Sequence, residues 1–178
     1  MTKCLNRVSA FVIICVVAAA ILTITAFPRE ARAGQGDAKI HILPFNYSDA
    51  ILIESDGRFG MVDSGEDDSY PNGSDSRYPL RDGIAKGGGH EDEVISYLES
   101  VGVTADNFEF YIGTHPHSDH IGTAPQIIKR FKPRKIYTPI YDDSFITDSS
   151  RLWDNRYVYD RLIEAAKEAH EEYGAELV

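Results

Sequence analysis

Cysteine is nearly absent from this 178-residue sequence, and both copies, Cys4 and Cys15, lie near the N-terminus. From Gly34 onwards the chain has no cysteine, so it can form neither a disulfide bond nor a thiolate–metal bond there. Any metal held by that part must therefore use nitrogen and oxygen ligands. Cys15 suggests a lipoprotein site, but the apolar run around it continues well past it, which argues against that assignment.

Basic residues are also scarce. The sequence has 18 Lys and Arg against 28 Asp and Glu, a formal charge of −10. Residues 1–33 contain four of the basic residues and one of the acidic ones, which leaves 14 against 27, a charge of −13, on residues 34–178. Such a surface repels phosphate backbones and disfavours nucleic acid as a general partner. A local basic groove or bound divalent cations would offset this repulsion.

Residues 1–33 are predicted to be a signal peptide. A basic start is followed by an almost wholly apolar run, Val8 to Phe27, and Ala31-Arg32-Ala33 matches the small-x-small cleavage pattern. The alternative is an uncleaved membrane anchor, because the run is as long as the roughly 20 residues that cross a bilayer. In either case we expect residues 34–178 to be secreted, or anchored at the outer face of the membrane by residues 8–27 alone.

The periodicity of residues 34–178 predicts one domain with a mixed α/β fold. Three strands come first, and the Asp56-Gly57 turn between the second and the third predicts an antiparallel meander. Helices and strands then alternate. The predicted strands cover residues 39–43, 50–54, 58–63, 107–113, 135–138 and 175–178, and the predicted helices cover residues 90–101, 123–131 and 155–173.

The end of this pattern predicts a domain that is incomplete at its C-terminus. A sheet with crossover helices needs partners on both faces, and the strand that begins at Ala175 has no continuation. Between Ser64 and Gly89 lies a long glycine-rich segment, and a loop of this length in a compact domain is usually functional or mobile.

Three of the six histidines fall between Thr114 and His120, directly behind the apolar run Phe108 to Ile112. Imidazole nitrogens and carboxylate oxygens are the groups with which proteins hold zinc and similar ions. His115 and His117 alternate on extended chain and can reach one point. Pro116 cannot donate to a sheet ladder, which places this pair at a strand end. The cluster therefore predicts a metal site at the end of a buried strand.

The spacing favours two metals over one. If the chain turns into a helix after Ser118, Asp119 and His120 are aimed differently from His115 and His117, so each pair would hold its own ion. Two adjacent metals can share a bridging hydroxide, lower its pKa and polarise a carbonyl or phosphoryl oxygen. The alternative, a surface loop with adventitious histidines, is disfavoured by the density of ligands behind an apolar strand.

The motif His115-x-His117-x-Asp119-His120 resembles the metal motif of the metallo-β-lactamase fold superfamily. Ser48 to Ile53, followed by Met61 to Gly65, resembles that family's opening hairpin and its Asp-Ser/Thr-Gly turn. Ile121-Gly122 resembles the residues that follow the motif, although Thr123 stands where a second glycine is usual. The likeness extends from Lys39 to Val178 and is greatest to secreted members similar to the hydrolase domain of ComEC-type competence proteins.

The resemblance implies an αβ/βα sandwich, here truncated after its first half, with a dinuclear site at the sheet edge. The usual metal is zinc, two per complete domain, with manganese or iron as alternatives. His115 and His117 would bind the first ion and Asp119 and His120 the second, and Asp119 would also orient the attacking water as the catalytic residue. Further ligands would come from later in the chain, since His170 is expected to be a solvated helix residue.

Several other residues have two interpretations each. Asp63 either supports the ligand loop or merely forms a turn. Glu66-Asp67-Asp68 is expected to be a solvated acidic loop, because its spacing does not match the EF-hand calcium loop. His41 is expected to be a packed or edge histidine. Trp153 is expected to be a core or rim aromatic residue. The alternative is that it forms part of the wall of a substrate site.

Together these patterns favour a metal-dependent hydrolase that uses a metal-activated water. Its substrate would be a small molecule or phosphodiester with an ester, amide or phosphodiester bond, and nucleic acid is not favoured by the acidic charge. A true β-lactamase is less favoured. The alternative from another class is a non-catalytic metal-binding domain or an inactive truncated product of the same fold.

Overall fold

The structure is a computed structural model that describes residues 36–84, 86–145, 148 and 152–178. The predicted signal peptide or anchor, residues 1–33, lies outside the described residues, so its prediction stands untested. No helix in the described part of the chain is long and apolar enough to span a bilayer.

A mixed sheet whose strands follow one another in sequence order forms the centre of the described fold. Its strands are β1 (Lys39–Ile42), β2 (Ala50–Ser55), β3 (Arg58–Ser64), β4 (Phe108–Ile112), β5 (Lys135–Tyr137) and β6 (Glu176–Leu177). The first three are antiparallel, as the Asp56-Gly57 turn predicts, and β3 to β6 are parallel neighbours. The carboxyl ends of β3, β4 and β5 therefore meet at one edge.

The helices connect the parallel strands. They are α1 (Glu91–Ser100), α2 (Ser118–Ile121), α3 (Ala124–Phe131) and α4 (Asn155–Tyr173), with a 3-10 turn at Asp143–Phe145. α4 has the predicted bounds, and it ends because Gly174 adopts a left-handed φ of +78°. α2 is a single turn, so the helical geometry expected after Ser118 is present. The predicted mixed α/β fold is confirmed.

One face of the sheet packs against α1, α3 and α4. The fully buried side chains in this layer come from the strands and from one stripe of each helix: Leu52, Met61, Phe108, Tyr111, Ile136, Val94, Leu98, Ile127, Ile128 and Leu162. Each such aliphatic side chain contributes roughly 1.5–3 kcal/mol through burial. This layer fixes where β4 ends, and so where the histidines begin.

The opposite face of the sheet is apolar too, but more open. Ile42 pairs with Ile51, Ile51 with Val62 and Val62 with Ile112, so one apolar row crosses four strands. Ile42 is 75% exposed and the other three are half-buried. The described residues thus form one sheet with one helix layer, which corresponds to one half of the expected αβ/βα sandwich.

Truncation of Leu162 tests the helix layer. Leu162 is fully buried between α4 and the sheet, so Leu162→Ala removes buried surface and leaves a cavity. We expect it to lower the free energy of unfolding by about 2–5 kcal/mol in urea denaturation. Leu80→Ala is the matched control, because Leu80 is 50% exposed and its loss should change stability by less than about 0.5 kcal/mol. Equal effects of the two changes would contradict the assigned core.

Candidate metal centre

The histidine cluster lies where β4 passes into α2. The backbone N–H of Gly113 donates to Tyr137 O at 3.0 Å, which holds the end of β4 against β5. His117 is still extended, with φ −111° and ψ 146°, and α2 begins at the next residue. His115 and His117 therefore lie on extended chain, while Asp119 and His120 lie on a helical turn, as the sequence predicts.

The structure brings the four predicted ligands together as two pairs. His115 Nε2 lies 3.2 Å from His117 Nδ1, and His120 Nε2 lies 3.8 Å from Asp119 Oδ2. The His115 and His120 rings connect the pairs, with centroids 3.8 Å apart. The pairing matches the two-metal hypothesis, and the role of these side chains as metal ligands remains a prediction.

The connection between β1 and β2 holds the backbone of Asp119. The N–H of Asp49 and the hydroxyl of Ser48 both donate to Asp119 O, each at 3.0 Å. Ser48 Oγ also accepts the N–H of Glu66 at 2.7 Å. Three loops from distant parts of the sequence are thus joined at the start of α2.

Asp63, at the end of β3, organises the imidazoles. Its Oδ1 accepts the Thr114 N–H at 2.8 Å, and its Oδ2 accepts the Thr114 hydroxyl at 2.7 Å. The same Oδ2 accepts a hydrogen bond from the N–H of His120 Nδ1 at 2.9 Å. Since the Thr114 hydroxyl proton is already used, Thr114 Oγ1 accepts from His115 Nδ1 at 3.0 Å. Both histidines consequently carry their proton on Nδ1 and have an unprotonated Nε2, which in His115 lies within hydrogen-bond distance of His117 Nδ1.

The backbone of Asp63 is also unusual. It is a buried non-glycine residue, 4% exposed, in the left-handed region with φ +54°. Such a conformation costs on the order of 1 kcal/mol or more and persists only where surrounding contacts enforce it. Here Gly65 N–H donates to His120 O and Gly65 O accepts the Thr123 N–H, which hold the turn against α2. The contacts of Asp63 thus agree with the predicted support of the ligand loop. They do not agree with the alternative, an aspartate that merely forms a turn.

Burial affects the protonation of the first histidine pair. Burial, reinforced by the neighbouring His120, lowers the pKa of His115, and burial, reinforced by His115, lowers the pKa of His117. Neutral imidazoles are favoured, and neutral imidazole is the form that binds a metal ion.

The described residues do not form a complete metal site. Among them, no group of three or more His, Cys, Asp or Glu side chains is arranged to hold an ion. The spacing of the first pair nonetheless fits a divalent metal. The 3.2 Å between His115 Nε2 and His117 Nδ1 is close to the roughly 3.3 Å that separates two nitrogen ligands of tetrahedral zinc. Three imidazoles and one carboxylate, without a thiolate, also suit manganese or iron.

The acidic loop beside the cluster differs from its prediction. Asp67 is 1% exposed and forms an ion pair with Arg161 Nη1 of α4 at 2.6 Å, so the expectation of a solvated loop is wrong at this residue. Glu66 is half-buried and accepts the Ser118 hydroxyl at 2.9 Å. The partners of both acids lie far away in the sequence, and nothing in the local pattern indicates them.

An open cavity of about 310 Å³ adjoins the histidines. Its lining includes His117, Asp119, Glu66, Asp154, Tyr47 and Trp153. Trp153 lies edge-on to His117 with centroids 5.9 Å apart, which places it at the site, as the alternative interpretation of this residue proposed. Glu66 and Asp154 are site residues that the sequence analysis did not identify.

A larger groove of about 670 Å³ lies between α3 and α4, but it contains no histidine. We place the functional site at the smaller cavity because the candidate ligands line it. His170 is exposed and its Nδ1 donates to Ala175 O at 2.9 Å, which agrees with the expectation that it is not a ligand. His41 contacts Tyr97 of α1 and Glu54 of β2, as expected of a packed histidine.

Replacing Asp63 tests the support of the imidazoles. Asn tolerates a left-handed backbone, but its amide N–H would face His120 Nδ1 and favour the tautomer with the proton on Nε2. We expect Asp63→Asn to weaken zinc binding by about 10–100-fold in competition with a chromophoric chelator.

The matched control is Asp56→Asn, because Asp56 also has a positive φ, +52°, but lies exposed in the β2–β3 turn. It should bind zinc like the unmodified chain. Unchanged zinc affinity in Asp63→Asn would contradict the role assigned to this carboxylate.

Comparison with known proteins gives the family. The family model for the metallo-beta-lactamase superfamily matches residues 43–178. No curated protein matches the chain. One solved structure, a Thermotoga maritima protein described as a candidate metallo-beta-lactamase, is similar at 18% identity with a TM-score of 0.41. The match covers 80% of this chain and 57% of that one. On the strength of the family match, the chain belongs to the metallo-beta-lactamase superfamily.

Proposed function

We propose that this protein is a metal-dependent hydrolase that uses a metal-activated water on an ester, amide or phosphodiester bond. Members of its superfamily are generally metal-dependent hydrolases, and they typically bind divalent metals, usually zinc. The observation that carries the proposal is the arrangement around Asp63, which leaves Nε2 of His115 and of His120 unprotonated beside His117 and Asp119.

Each ligand pair has its own part in this proposal. His115 and His117 would hold one ion, and Asp119 and His120 a second. When bound, divalent ions supply Lewis-acid chemistry, because they acidify a water and polarise the oxygen of the scissile group. Zinc is the expected metal, with manganese or iron as alternatives.

Asp119 is the residue we assign to the water. Its backbone is held by Ser48 and Asp49, while its side chain remains 41% exposed in the wall of the cavity. A fixed backbone and an accessible carboxylate suit a group that accepts a hydrogen bond from water and orients it toward a substrate. Asp63 has the supporting role, since it holds the imidazoles but is not among the described residues that line the cavity.

The finer parts of the proposal rest on the sequence. The apolar run of residues 8–27 supports secretion or anchoring at the outer face of the membrane. The likeness to ComEC-type competence proteins supports a phosphodiester substrate, whereas the charge of −13 on residues 34–178 opposes a polyanion. Small-molecule ester and amide substrates therefore stay beside phosphodiesters in this proposal.

One observation favours a second candidate, a non-catalytic metal-binding domain of the same fold. It is the lack of any three-ligand group among the described residues. Metal analysis of the purified chain separates the two candidates. Close to two tightly held zinc ions per chain support the hydrolase, and weak, substoichiometric binding supports the second candidate.

Replacing Asp119 tests the catalytic assignment. With metal-loaded protein, we expect turnover of bis-p-nitrophenyl phosphate, a chromogenic β-lactam or a simple thioester. Asp119→Asn should lower kcat by about 10²–10⁴-fold on whichever substrate is turned over, because a neutral amide is a weaker acceptor for the hydrogen bond that orients the water.

Asp92→Asn is the control, since Asp92 is an exposed carboxylate on α1. It should retain full turnover. Unchanged kcat in Asp119→Asn would refute the assigned role, and inertness of the unmodified chain toward all three substrate classes would count against the hydrolase itself.

A further inference from the structure

The cavity beside the histidines is lined by hydrogen-bond acceptors. Glu66, Asp119 and Asp154 contribute carboxylates and Asn155 contributes a side-chain amide. No Lys or Arg is among the described residues that line it. A cavity of this composition has a negative potential and repels anions.

Two of these side chains have an oxygen without a donor. Asp154 is 6% exposed and Asn155 is 2% exposed, and both line the cavity. Asp154 Oδ2 and Asn155 Oδ1 have no hydrogen-bond partner among the described residues. Buried acceptors without donors are uncommon in folded proteins, and each requires an explanation such as a bound ligand. A ligand that carries N–H or O–H groups would supply the missing donors.

The negative charge at this wall lacks a local counter-ion. Burial, with the nearby Asp154 and Asp67 adding to it, raises the pKa of Glu66 to about 7, and burial raises the pKa of Asp154 to about 6. Two arginines of α4 have partners other than Glu66 and Asp154. Arg161 pairs with Asp67 at 2.6 Å, and Arg156 pairs with Asp143 at 3.3 Å. A cation that entered the cavity would be attracted by the carboxylates of Glu66 and Asp154 and would offset their negative charge.

Two aromatic rings add to the same preference. Tyr47 is 97% exposed and Trp153 is 42% exposed, and both line the cavity. Exposed aromatic faces beside carboxylates favour a cation, because the ring quadrupole attracts positive charge.

We propose that this cavity binds a primary ammonium group carried by the substrate, next to the candidate metal ligands. An alkylammonium offers three N–H donors and a positive charge, which match the unpartnered oxygens and the carboxylates. The substrate would then be an amino compound with an ester or amide bond. The catalytic meaning of this inference rests on the proposed hydrolase function, whereas the ammonium site can be tested without turnover.

The chain contains a built-in reporter for that test. Trp153 is the single tryptophan of the sequence and lines the cavity, so intrinsic tryptophan fluorescence follows binding there directly. Butylammonium is the probe, titrated into the full chain at constant ionic strength and pH 8. 1-Butanol is its control, because it has the same alkyl length without the charge. We expect a saturable fluorescence change with butylammonium and none with 1-butanol.

Variants of the lining residues test whether the fluorescence change comes from butylammonium bound in the cavity. Glu66→Gln and Asp154→Asn each remove one charge at constant size and should weaken butylammonium binding by about tenfold or more. Glu164→Gln, an exposed carboxylate on α4, is the matched control and should leave binding unchanged. The proposal is overturned if 1-butanol produces the same change, if butylammonium produces none, or if all three variants bind alike.

Turnover provides the second arm. We compare 6-aminohexanoyl p-nitroanilide, whose amine stays protonated at pH 8, with its N-acetyl derivative. The free amine should be preferred by about tenfold or more in kcat/KM. Saturable binding without hydrolysis of either compound would support the ammonium site and count against the hydrolase. Equal hydrolysis of both compounds, without a fluorescence change, would support the hydrolase and refute the ammonium site.

Discussion

The structure of the candidate site depends on the carboxylate of Asp63. This buried side chain, held in a left-handed backbone conformation, accepts hydrogen bonds from Thr114 and His120 and reaches His115 through the Thr114 hydroxyl. It can do so because β3 and β4 are parallel neighbours whose carboxyl ends meet at one edge of the sheet. Sheet topology thus determines imidazole tautomers, and the tautomers determine which nitrogens are free to bind a metal.

A second constraint is electrostatic. Residues 34–178 carry a formal charge of −13, and several carboxylates lie around the histidines. Asp67 is neutralised by Arg161, but Glu66 and Asp154 have no such partner among the described residues and their pKa values rise with burial. Bound divalent ions and a cationic substrate group would each reduce this repulsion. The same negative charge therefore favours bound metal ions and a cationic substrate group, and it disfavours nucleic acid as a partner.

Local patterns were sufficient for much of the fold. The Asp56-Gly57 hairpin, the bounds of α4 and the order of helices and strands follow from turn chemistry and periodicity. The pairing of His115 with His117 follows from strand alternation. The ion pair of Asp67 with Arg161, and the place of Asp154 in the cavity, could not be predicted because they join residues far apart in sequence through packing of α4. Thr114 was missed for a different reason, since its hydroxyl matters only once Asp63 is placed beside it.

The protonation of the histidines tests the account most directly. Long-range proton–nitrogen NMR spectra of the metal-free protein distinguish imidazoles protonated on Nδ1 from those protonated on Nε2. The network around Asp63 predicts the Nδ1–H tautomer for both His115 and His120 near neutral pH. An Nε2–H tautomer at either residue would contradict it, because the nitrogen assigned to the metal would then carry a proton.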